Sequence, residues 1–143
     1  MPYLWVMIGS ALGGLLRYAI SRWTMHLSPT STSFPYGTVL INVLGSFIIG
    51  YFGTLTLHSG RYPVSDNVRL FVMVGICGGF TTFSSFSLQT FDLIRSDAWG
   101  RALANIALSV VLCLTAVAVG HRLAQHWVPE IAIAETDEEE YTG

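Results

Sequence analysis

Apolar and polar positions fall along this chain in long blocks, with no strand-like alternation. Four blocks stay apolar for roughly 20 residues, the length a helix needs to cross a hydrocarbon core about 30 Å thick. They run from about Tyr3 to Trp23, Gly37 to His58, Val68 to Phe91 and Ala102 to Leu123. Short polar connections separate them, HLSPTSTSFPY at 26–36 and SGRYPVSDN at 59–67. The pattern predicts an all-α membrane protein of four spans, with neighbouring spans antiparallel and both termini on one side. Residues 1–126 form the single membrane domain, and the acidic tail 127–143 is expected to be disordered.

Composition sharpens this. The chain is 52% hydrophobic and 11% charged, against about 25% charged residues in an ordinary soluble domain. Lysine is absent, and six of the nine acidic residues lie in the last fourteen positions, so the net charge of -2 describes the tail. The start, MPYLWVMIGSALGG, has no basic region before its apolar run and reads as a first span, not a removable leader. Cys77 and Cys113 sit deep in apolar blocks and are expected to be small buried hydrophobes, outside any disulfide or metal site. No nucleic-acid partner is expected. Orientation is weakly specified: Arg61, Arg69 and Arg122 stand on one side against Arg22, Arg95 and Arg101 on the other. Arginine and lysine near span ends normally decide which loops stay in the cytoplasm. Such a balance lets copies insert both ways and pair.

The third block carries a defect at its middle. Gly78–Gly79, then Phe80 to Ser87, joins two poor helix formers to five hydroxyl residues. Two readings stand: a glycine-permitted kink, or a true break whose freed backbone groups line a cavity or bind an ion. Phe80, Phe83 and Phe86 recur every three residues. Such a stripe usually packs, but the interleaved threonine and serine suit a narrow passage walled by ring edges and hydroxyl donors, which could hold a small anion.

Asn42, flanked by Val39 to Val43, needs a partner away from lipid. It either ties helices together or donates its amide hydrogens to an anion. Ser46 and Gly50 follow at i+4 and i+8, and Gly9 and Gly13 form a similar small face in the first span. Asn105, Ser109 and Cys113 stack on one face of the fourth span as a polar track. Arg17 lies about a turn inside its span, where it serves function or snorkels to the interface. No carboxylate falls at mid-membrane, which disfavours a proton-coupled exporter and leaves an enzyme without a base.

GGLLRY at 13–18, GTVLINVLGSFIIG at 37–50 and GICGGFTTFSSFS at 75–87, in this order, resemble the CrcB/Fluc fluoride channels, over nearly the whole chain except the tail. The resemblance implies an antiparallel, dual-topology homodimer with two pores in the bacterial inner membrane. It implies pore roles for Phe83, Phe86 and Asn42, a first-span charge at Arg17, and a structural sodium ion (Na+) held at the dimer interface by backbone carbonyls of Gly78 and Thr81. Fluoride would leave the cytoplasm passively, with Asn42, Thr82, Ser84 and Ser109 as candidate donors. Asn105 departs from the family, which often has tyrosine there, and Cys113 takes a place commonly held by a small hydroxyl residue. The rival readings are a four-span dual-topology cation or drug exporter and a non-transporting membrane scaffold.

Overall fold

The computed structural model describes residues 1–27, 30, 33–57 and 62–127. Arg61, His58 and nearly all of the acidic tail lie outside the described residues. Among the described residues the fold is all helical, with four segments long and apolar enough to cross a membrane. Helix α1 spans Pro2–Thr24, its proline at the first turn where no backbone donor is needed. A 3₁₀ turn, Met25–Leu27, closes it. Helix α2 spans Tyr36–Leu55. The third segment, Asp66–Arg95, begins as α3 (Asp66–Arg69), continues as a π-helical stretch Leu70–Cys77, and closes with the short turn α4 (Gly78–Phe80). Helix α5 (Phe83–Arg95) completes it, and α6 spans Trp99–Gln125.

Most helices outrun the apolar blocks at their ends, whereas α2 stops at Leu55, short of the expected His58. α6 starts before Ala102 and passes Leu123, and the third segment reaches Arg95. Arginine side chains at these ends carry the backbone past the apolar run while keeping charge at the interface. Arg69 does more: its guanidinium donates to the Gly53 carbonyl at 3.2 Å and to Thr56 Oγ1 at 2.8 Å. Thr56 Oγ1 itself donates to the Phe52 carbonyl at 2.7 Å. The cation thus satisfies the Gly53 carbonyl directly and braces the hydroxyl that satisfies Phe52, at the C-terminal end of α2 where the helix dipole favours positive charge.

Packing forms two tight pairs. α2 lies along α6, and α1 lies along the π-helical stretch and α4. Both pairs depend on glycine because backbone meets backbone. A Cβ at Gly9 would stand 2.5 Å from the Phe71 carbonyl oxygen, and one at Gly79 2.5 Å from that of Ser10. Gly50 faces the Val117 carbonyl and Gly120 that of Phe47 in the same way. Lipid tails are as apolar as leucine, so membrane helices associate through such close contact. The outward faces are apolar: Leu15, Leu103 and Leu114 are all exposed, as a lipid-facing surface requires.

Candidate functional site

The third segment changes course after Phe80. Thr81 has φ -77° and ψ 157°, Thr82 has φ -153° and ψ 109°, and helix resumes at Phe83. Two groups hold this extended pair. Thr81 turns back, its amide and its hydroxyl both donating to the Cys77 carbonyl at 2.9 Å. Thr82 turns outward to Asn42: the Thr82 amide donates to Asn42 Oδ1 at 2.8 Å, and Asn42 Nδ2 donates to the Thr82 carbonyl at 3.2 Å. One side-chain amide therefore meets both backbone groups of one extended residue, as a neighbouring strand would.

Thr82 also caps α5. Its Oγ1 accepts from the Ser85 amide at 3.2 Å and donates to Ser85 Oγ at 3.0 Å, with Ser84 Oγ 3.2 Å away. These contacts divert two donors. In a continuous helix the Thr82 amide would serve the Gly78 carbonyl, and the Ser85 amide that of Thr81. Here both amides go elsewhere.

Around the extended pair opens a cleft of about 390 Å³. Its walls bring together Asn42, Gly78, Thr81, Thr82, Phe83, Phe86, Ser109 and Cys113, joined by Ser46 and Gly45 from α2. The Phe83 and Phe86 rings lie 5.3 Å apart at 45°. Phe80 does not continue their stripe. It is buried while Phe83 is 78% exposed, because the extended residues between them reset the helical phase. Among the described residues no charged side chain lines the cleft. The N-terminus of α5 opens beside it, giving a partial positive charge without an ionised group.

Three of the expected residues stand apart. Ser84 is exposed and contacts Thr82, outside the cleft lining. Arg17 is half-buried on α1, also outside it. Asn105 is 1% exposed and stands behind the wall. Its Nδ2 donates to Thr90 Oγ1 at 2.8 Å, and its Oδ1 accepts from Ser109 Oγ at 3.4 Å. The polar track thus divides: Ser109 and Cys113 line the cleft and Asn105 does not. Cys77 and Cys113 carry free thiols.

Two residues escaped the sequence reading. Thr90 is buried and receives Asn105; its position eight residues after Thr82 was the available signal. Gln89 has a buried Oε1 with no partner among the described residues. It borders a second pocket of about 220 Å³ with Thr24, Gly37 and Thr38.

Comparison with known proteins identifies the family. The family model described as "CrcB-like protein, Camphor Resistance (CrcB)" matches residues 4–121. A protein of Gluconobacter oxydans named "Fluoride-specific ion channel FluC" is 62% identical over 137 residues, covering 94% of this chain and 93% of the relative. Proteins of the same name from Methylobacterium radiotolerans and Methylocella silvestris are 64% and 59% identical, covering 85% and 87% of this chain and 83% and 93% of theirs. With four membrane-spanning segments and these relatives, the chain is a multi-pass bacterial membrane protein. The three motifs at 13–18, 37–50 and 75–87 fall within the matched residues, and the chain belongs to the CrcB family.

Proposed function

We propose that this chain is a fluoride-selective ion channel, and not an enzyme, that passes fluoride passively out of the cytoplasm and so lowers its toxic concentration. The cleft carries this reading: amide and hydroxyl groups, two phenylalanine rings and a helix N-terminus converge there, with no charged side chain among the described residues. The relatives' printed name supplies the ion. A small, strongly hydrated anion needs close donors to replace its water. Ser109 and the second hydrogen of Asn42 Nδ2 offer them, with Cys113 on the same wall and Ser84 at the margin. Thr82, whose hydroxyl donates to Ser85 Oγ, would join them by turning that hydroxyl to the ion. Ring edges of Phe83 and Phe86 present positive potential while keeping the passage narrow. Arg17 draws anions toward the mouth from the interface.

The interruption at Thr81–Thr82 lies near the bilayer midplane in this reading, and an antiparallel, dual-topology second copy completes the site. In support, Gly78, Phe83, Ser84 and Ser87 are exposed on one chain within a span, where hydrocarbon solvates hydroxyls poorly. The Gly78 and Thr81 carbonyls have lost their helical donors to Asn42 and to the Thr82 hydroxyl. Two neutral oxygens from each copy suit a hard monovalent cation, so these residues fit a structural Na+. Bound there, the ion would supply fixed positive charge beside the anion path.

Liposomes loaded with potassium fluoride test the reading. Purified protein with valinomycin should release fluoride from these, hold chloride in matched liposomes loaded with potassium chloride, and drive no proton-coupled cation uptake; the reverse pattern rejects it. Phe83→Ile with Phe86→Ile should abolish fluoride flux while the dimer persists. Unchanged flux would remove the rings from the path.

A further inference from the structure

We infer that Asn105 is a positioning residue, which with Thr90 fixes Phe86 against α6 and does not itself contact the permeating ion. This rests on reading the cleft as the path of fluoride. α5 begins after an extended break, so helix continuity does not set its direction. Much of its surface is open: Phe83, Ser84, Ser87, Leu88 and Phe91 are all exposed. Its orientation must come from a few side contacts. Asn42 holds the first, at Thr82. The second lies two turns further on.

There, hydrogen bonds run in one direction through a buried bracket. Ser109 Oγ donates to Asn105 Oδ1 at 3.4 Å, Asn105 Nδ2 donates to Thr90 Oγ1 at 2.8 Å, and Thr90 Oγ1 donates to the Phe86 carbonyl at 2.7 Å. Both ends of the bracket, Ser109 and Phe86, line the cleft. Its two middle members are 1% and 7% exposed. Asn105 thus couples the hydroxyl on one wall to the backbone that carries the ring on the other. The bonds differ in strength in a useful way. At 3.4 Å the Ser109 bond is at the limit of hydrogen bonding, so that hydroxyl can turn to an arriving anion. The two shorter bonds stay closed and keep the ring in place.

Thr90→Val removes the hydroxyl at nearly constant shape but leaves the Asn105 amide unpaired. Thr90→Val with Asn105→Leu removes both polar partners, a replacement that can be nearly neutral in stability. The double variant should therefore fold and dimerise. In fluoride-loaded liposomes its efflux should fall about tenfold, the factor that one net hydrogen bond of positioning corresponds to. Amides of residues 86–95 should exchange faster with deuterium than in the unaltered protein. Thr90→Ser, which keeps the oxygen, should restore efflux to within about twofold. Unaltered efflux and exchange in the double variant would overturn the assignment while leaving the cleft's role intact. So would loss of efflux in Thr90→Ser equal to that in Thr90→Val. Unaltered protein that passes no fluoride would defeat the reading of the cleft, and this assignment with it.

Discussion

Asn42 and Asn105 show how much a single amide can do where water is scarce. Each offers two donor hydrogens and one acceptor oxygen; Asn42 uses both kinds of group on Thr82, while Asn105 donates across to Thr90 and accepts from Ser109 of its own helix. The sequence made plain that Asn42 required partners, yet allowed either helix contact or anion donation. The structure spends its oxygen and one hydrogen on Thr82 and leaves the second hydrogen beside the cleft. Asn42→Ala would strip the Thr82 amide of its partner in a buried position. We expect a loss of about 1–3 kcal/mol, read as a lower melting temperature in detergent, together with reduced fluoride efflux. A variant melting with the unaltered protein would show that the contact does not hold the break. For Asn105 the spacing to Ser109 and Cys113 correctly gave a shared helix face. Spacing could not say what that face opposes: Thr90 covers its first residue and the cleft meets the others.

At the scale of elements, the four spans were readable because lipid imposes a length and an apolar content that few other structures need. The π-helical stretch Leu70–Cys77 was not, since LFVMVGIC contains no proline or polar signal to mark a widened turn. Such turns reflect packing against neighbours more than local preference. Gly9 and Gly13 were recognisable as a small face, but their partners, Gly75 and Gly79 four residues apart on the third segment, emerged only from the fold. This face supports a paired prediction. A Cβ at Gly13 would collide with the Ile76 carbonyl oxygen and lie 2.8 Å from the Phe80 amide nitrogen, whereas one at Gly14 meets nothing within 4 Å. Backbone cannot swing aside as a side chain does. Gly13→Ala should therefore destabilise by about 1–3 kcal/mol or more, and Gly14→Ala should be neutral. Thermal unfolding of the two variants side by side decides it, and equal melting would contradict the close approach.

At the scale of the whole molecule, the arginines near the span ends are nearly balanced, the basis on which the proposed dual topology can be tested. Arg22, Arg95 and Arg101 stand near span ends on one side, and Arg69 and Arg122 near those on the other, with Arg61 in the sequence connection 59–67. Because connection charge sets which loops stay in the cytoplasm, two added cations should commit the chain to one orientation. Ser96, in the turn before α6, and Gly100, in its first turn, are exposed, and a Cβ at Gly100 meets nothing within 4 Å. Ser65 and Gln125 are exposed on the opposite side. If function needs two antiparallel copies, Ser96→Arg with Gly100→Arg should protect cells poorly against fluoride when expressed alone. Ser65→Arg with Gln125→Arg should fail similarly, because each population then lacks an inverted partner. Expressed together, the two variants can pair and should restore growth in fluoride. Recovery only on mixing separates orientation from simple damage to the fold, since two damaged chains would not mend each other. Full protection by either variant alone would mean that parallel copies or single chains suffice, and the antiparallel pair would have to be abandoned.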